Sequence, residues 1–262
     1  MKIFLYLPFP VSLLIISSFC IIVFFLIQKI MRKKIPHEML IENHEIGGFI
    51  YNAIGIMYAV LVAFVVFAIW TDYKETDTKI EVEANNLIDL YSDASIYPDS
   101  LRKEIQSTIS DYIDDVIHVE WRLMAGGFRD SGATRSFIRL NKLYLSVNSD
   151  LLKNKEALSL SMDNLNEIRD CRRHRILSSK EHMPDILWIV LIIGTIILIV
   201  FTLFFSTKNR RHLNIMSSLL IFICVLVLYL IFVLDHPFIG RNSIKPEPFT
   251  LIKNMMKNSE IK

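Results

Sequence analysis

Four arginines fall within seven residues in Arg169-Asp170-Cys171-Arg172-Arg173-His174-Arg175, the strongest charge run of the chain. A positive funnel of this kind raises the local concentration of anions. The same run would also serve as a membrane-proximal face against lipid phosphates. Arg169, Arg172, Arg173 and Arg175 are therefore the candidate anion-attracting residues, and the acidic stretch Asp72, Glu75, Asp77, Glu81 and Glu83 offers them opposite charge. His118-Val119-Glu120-Trp121 invites a catalytic reading, but Glu120 and Trp121 close a helix and no nucleophile accompanies them. HExxH, GxSxG and phosphate-loop patterns are absent. The three cysteines, Cys20, Cys171 and Cys224, show neither CxxC nor Cys/His ligand spacing. The sequence thus supports no enzyme, no cofactor, no metal and no disulfide framework.

A second group of residues ends an apolar run. In Val233–Gly240, VLDHPFIG, an acid, a histidine and a proline follow one another. Asp235 can accept backbone donors from the following turn, Pro237 ends the helix, and Gly240 permits a left-handed backbone. These three are read as a structural turn. It hangs the tail Ile244–Phe249, with Pro246 and Pro248, against the polar domain or a neighbouring subunit.

The elements that must position these residues are membrane helices. Of the 262 residues, 52% are hydrophobic, and the net charge of +2 gives no nucleic-acid signal. Four apolar runs, Leu5–Ile30, Gly47–Trp70, Ile186–Phe205 and Leu213–Leu234, are long enough to cross about 30 Å of hydrocarbon. The expected architecture is an all-α integral membrane protein in a lipid bilayer, with four spans arranged 2+2. Residues 1–70 hold the first two spans, 71–184 a helical soluble domain, 185–235 the last two spans and 236–262 a tail. Gln28 to Lys34 closes the first run like a membrane-stop flank, so it reads as a retained helix and not a signal peptide.

Within the polar domain, helical spacing joins Ile80, Ala84, Leu87 and Tyr91, which makes the second span one long rod. Pro98 breaks it, and Asp99 or Ser100 is expected to cap the next helix. That helix carries Ile105, Ile109, Tyr112, Val116 and Val119, and Gly126-Gly127 ends it. Two more carry Phe137, Leu140, Tyr144 and Val147, then Ala157, Leu160, Leu165, Ile168 and Cys171.

In the second span Gly48, Asn52, Gly55, Ala59 and Ala63 form one stripe of small or weakly polar side chains. Such a stripe suits close helix packing or a pore wall gated by dewetting. Asn52, Gly55, Ala59 and Ala63 are the candidate pore-lining residues. No Asp, Glu or His sits inside a run, so a transport path here would be passive. The short loops around Arg32–Glu45 and Thr207–His212 are basic, but so is the opposite face, so the positive-inside rule leaves the side of the polar domain open.

Several stretches in order resemble the bestrophin-like family of bacterial four-span membrane proteins. They are Gly55 to Phe64 with Trp70; Glu83-Ala84 and Leu90-Tyr91; Glu120-Trp121; Arg172 and Arg175 with Pro184 and Leu187-Trp188; Asp235-His236-Pro237-Phe238 with Gly240; and Pro246-Glu247-Pro248-Phe249. The resemblance implies similarity to bestrophins, which are pentameric anion channels lined by the second span, with a cytosolic polar domain. It implies a homo-oligomer in the inner membrane, with inorganic anions as the partners. Bestrophins place an acidic, calcium-binding cluster after a Pro-Phe-Gly motif. Here Arg241 and Asn242 stand there, and the second span lacks a phenylalanine ladder. The leading reading is a passive anion channel; the alternative is a non-conducting scaffold or sensor.

Overall fold

The computed structural model describes residues 3–34, 44–126, 128, 131–147, 155–205 and 210–260. Most of the loop from Arg32 to Glu45, residues 207–209 and Gly127 lie outside the described residues. Among the described residues every regular element is helical, as the sequence predicts. In order they are α1 (Ile3–Tyr6), α2 (Phe9–Lys34), α3 (His44–Asp93), α4 (Asp99–Asp115), a π-turn (Val116–Glu120), α5 (Trp121–Met124), α6 (Ser131–Leu145), α7 (Lys155–Ser178), α8 (Asp185–Phe201), α9 (Arg210–Leu234) and α10 (Glu247–Glu260). The four helices long and apolar enough to span a membrane are α2, α3, α8 continued to Phe204, and α9, which are the four runs expected. Helix α3 runs 50 residues without a break, because no Gly or Pro interrupts it between Gly55 and Asp93.

The chain divides into two compact units. Unit 1 comprises Met1–Asp72 and His182–Asn242. Its centre is the contact of α2 with α9, where Leu13, Phe24, Leu203, Ile221, Val225 and Tyr229 are buried together. The phenol of Tyr229 donates to the Phe4 carbonyl at 3.0 Å. Helix α3 meets α8 through Tyr58, whose hydroxyl lies 2.9 Å from the Leu191 carbonyl and 2.6 Å from Thr195 Oγ1. Its ring fits because position 194 is glycine: a Cβ there would stand 2.4 Å from the ring.

Unit 2 comprises Tyr73–Glu181 and Ser243–Lys262. Ile80, Ala84, Leu87 and Tyr91 of α3 are buried, with Ile105, Ile109 and Tyr112 of α4, Phe137, Leu140 and Tyr144 of α6, and Leu165, Ile168 and Cys171 of α7. Two expected core positions, Val119 and Leu160, are exposed. The π-turn accounts for Val119. It widens the helix by one residue per turn, so the buried face moves from Val116 to Glu120 and Trp121 while Val119 rotates outward. Ser161 is buried beside the exposed Leu160 on α7. The expected side-chain cap on α4 is not formed: Pro98 is the cap residue, and Asp99 is already helical and pairs with Arg102 at 2.9 Å. The tail helix α10 packs in this unit through Phe249, Ile252 and Met256.

Gly194→Val should force the Tyr58 ring out of its seat and break both of its hydrogen bonds. The expected loss is about 1–3 kcal/mol, read as a lower midpoint of thermal unfolding in detergent. Tyr58→Phe should lose less, since its ring packing survives.

Candidate functional site

The α3 stripe faces an open groove in unit 1. Asn52, Gly55, Ala59 and Ala63 all line it, with Ile223 and Val227 of α9 opposite. The groove encloses about 750 Å³, and no Asp, Glu, His, Lys or Arg lines it. A second face of α3 is bare as well: Phe49, Ile56, Met57, Val60 and Phe64 are exposed. Only 11% of the most apolar stretch of α3 is buried by its own chain, against 39% for α9. An apolar helix exposed on two faces requires lipid or other subunits to cover it.

The basic run on α7 does not form one charged face. Helical spacing turns Arg169 and Arg173 outward, while Arg172 and Arg175 point into the core of unit 2. Arg175 is fully buried. Its Nε donates to Glu83 Oε2 at 2.8 Å, and its Nη2 donates to Glu83 Oε1 at 3.0 Å and Glu120 Oε1 at 3.1 Å. Arg172 Nη2 donates to Glu120 Oε2 at 2.7 Å and to Thr134 Oγ1 at 3.0 Å. The Tyr112 hydroxyl donates to Glu83 Oε1 at 2.5 Å. Trp121 and Phe249 lie against the Arg175 guanidinium, 5.4 and 5.6 Å from its carbon to their ring centres. Two arginines thus meet two glutamates in a buried cluster whose formal charges cancel. Arg172 and Arg175, expected as anion-attracting residues, are buried instead with their charge matched inside the unit. Among the four, Arg169 and Arg173 keep exposed positions.

Burial opposes a charged Arg175, but the carboxylate of Glu83 outweighs it and holds the guanidinium above the usual arginine range. Burial first, then the Glu83 charge, holds the Tyr112 phenol protonated well above its ordinary value. Burial and Glu167 push the Cys171 thiol up to about 12, so the cysteine inside the basic run is no nucleophile. Of the acidic stretch, Glu83 reaches the arginines; Asp77 pairs with Lys74 at 2.8 Å instead. Glu120 is the partner that the helical period hides, since the π-turn brings it inward.

The turn after α9 is held differently from the Asx arrangement expected. Asp235 Oδ1 accepts from the Met183 N–H, at 2.6 Å, in the segment before α8. Pro237 supplies no N–H, and the Ile239 N–H is used by the His236 carbonyl at 3.1 Å. Gly240 takes φ +88°, and the Arg241 N–H donates to the Leu5 carbonyl at 2.9 Å. A Cβ at 240 would stand 2.2 Å from that carbonyl oxygen, so only glycine lets the two backbones approach.

Arg175→Met leaves Glu83 buried without its counter-charge and should cost about 3–5 kcal/mol of stability. The double variant Arg175→Met with Glu83→Gln should recover part of that loss. Chemical unfolding of the detergent-solubilised protein measures both; a loss below about 1 kcal/mol for the single variant would contradict the buried-pair assignment.

The Bestrophin-like domain family model matches residues 14–249. No curated protein matches the chain. Among solved structures, a bacterial bestrophin homologue from Klebsiella pneumoniae carrying a leucine-to-threonine substitution shares the fold with a TM-score of 0.74 at 12% identity, over 94% of this chain and 99% of the other. Another structure of a bestrophin homologue from the same organism gives 0.70 at 11% identity, over 94% and 97%. At such identity the likeness is one of fold. The family match over most of the sequence and the four spanning helices give one conclusion: the chain is a membrane protein belonging to the bestrophin-like domain family.

Proposed function

We propose that the protein is a homo-oligomeric, passive ion channel of the inner membrane that conducts inorganic anions, with α3 lining the path. The observation that carries this reading is the bareness of α3: its groove of small side chains and its opposite apolar face both lack cover within one chain. A ring of copies, five by resemblance to bestrophins, covers one face by subunit packing and turns the other to the axis. In this reading Asn52, Gly55, Ala59 and Ala63 form the wall. The wall carries no Asp, Glu, His, Lys or Arg, which suits passive flow and not proton-coupled transport. Small side chains set the width, and apolar ones gate by dewetting. Arg169 and Arg173, exposed on α7, are the residues of the basic run left to concentrate anions. Family membership and the fold shared with bacterial bestrophin homologues support the assignment.

Liposomes containing the purified protein should release chloride faster than empty liposomes. Ala59→Trp should abolish that flux while the oligomer, checked by cross-linking, stays intact. Flux equal to that of empty liposomes across ionic conditions would reject the channel. Loss of assembly in Ala59→Trp would assign the stripe to packing between subunits, as a scaffold requires.

A further inference from the structure

The two helices at the centre of unit 1, α2 and α9, carry matching polar ends. On α2, Ile21, Phe25, Gln28 and Arg32 fall at spacings of four, three and four, which puts them on one face. On α9, Arg210, Asn214, Ser218 and Phe222 follow at intervals of four. Both series change in the same order, from apolar in the span, through an amide, to a guanidinium at its end. Ile21, Phe25 and Phe222 line a groove of about 470 Å³ between the helices, and Ser218 and Asn214 are its polar lining.

The polar groups at this end lack protein partners. Gln28 is buried, with 6% of its surface exposed, and its Nε2 has no acceptor. Arg32 is half-buried, and its Nε and Nη2 have no acceptor either. Asn214 Oδ1 lacks a donor. Among the described residues no carboxylate pairs with Arg32, and the charge that reaches it is the like charge of Arg210. Arg175 of unit 2 meets two glutamates; Arg32 meets none. Covered donors and a cation left in this state are costly unless an anion meets them.

We propose that this end of the α2–α9 groove binds an anionic phospholipid, with its phosphate on Arg32 and Arg210 and one acyl chain in the groove. The donors of Gln28 and Arg32 match phosphate oxygens, and Asn214 Oδ1 accepts from a headgroup hydroxyl. Arg32 stands in the last turn of α2, where its long side chain can swing its covered nitrogens toward the headgroup. The bilayer supplies the occupant, because the groove runs along two spanning helices and Ile215 and Leu219 on its rim are exposed. Any lipid tail fills the apolar part; the two guanidinium groups select the anionic headgroup. Basic pockets between spanning helices bind such headgroups. A free phosphate ion would use the arginines alone and leave the groove unfilled. The bound phosphate offsets the repulsion between Arg32 and Arg210 and so holds the end of α2 to the start of α9. The site rests on the membrane assignment of the chain and is independent of whether the protein conducts.

The test uses the purified full-length protein in detergent and native mass spectrometry. Phosphatidylglycerol and phosphatidylcholine with matched chains are titrated separately. The wild type should bind phosphatidylglycerol at least about tenfold more tightly. Arg32→Gln and Arg210→Gln should each weaken that binding about fivefold and leave phosphatidylcholine unchanged. Lys29→Gln, exposed on another face of α2, should change neither. Arg32→Gln removes unmet donors, so this variant should keep the wild-type midpoint of thermal unfolding. Excess inorganic phosphate should leave the lipid bound; its displacement would overturn the lipid assignment. Equal binding of the two lipids, no effect of either arginine variant, or an equal loss in Lys29→Gln would overturn the site.

Discussion

Everything in unit 2 is arranged around one buried cation. A guanidinium removed from water costs several kcal/mol unless its charge and its donors are met. Arg175 meets that requirement with the paired oxygens of Glu83, one oxygen of Glu120 and the thioether of Met124. Those partners come from α3, the π-turn and α5, and the ring of Phe249 from α10 closes the site. Sliding α7 by one residue would point Arg175 away from both carboxylates and leave three charges stranded. The cluster therefore fixes register as well as contributing contact. Apolar packing along α4, α6 and α7 tolerates small shifts; this cluster does not.

The four spanning helices and most of the core of unit 2 were legible as runs and helical periods, because burial of an apolar stripe is written into local spacing. Tyr112, Leu140 and Ile168 fall where the period puts them. The period fails at Val119, where a π-turn adds a residue that no pattern of apolar side chains records. The same turn brings Glu120 inward, where it meets Arg172 and Arg175, which the period of α7 turns into the core. Pairing between Glu83 and Arg175 spans 92 positions, and only the overlap of opposite charges in the sequence hinted at it.

In unit 1 the balance of forces is different. Within a bilayer, apolar side chains gain little by meeting one another instead of lipid, so close fit and backbone hydrogen bonds decide which helices touch. The ring of Tyr58 set over Gly194 is one such fit. Where no such fit exists, as along most of α3, the helix is left for other molecules to cover. The contrast between α3 and α9 is thus a difference in side-chain shape more than in hydrophobicity.

The left-handed turn at Gly240 has a bearing on how the chain is made. The Leu5 carbonyl takes the N–H of Arg241, and the Phe4 carbonyl takes the hydroxyl of Tyr229. Phe4 therefore waits for a partner 225 positions further along the chain. Helix α2 can enter the membrane early, but α1 finds its partners only after α9 and the turn beyond it have been synthesised. Closure of so long a loop is slow compared with local helix formation. During that interval α1 lies open to chaperones and proteases, and a ribosome stalled before Gly240 leaves the Leu5 carbonyl without the Arg241 N–H.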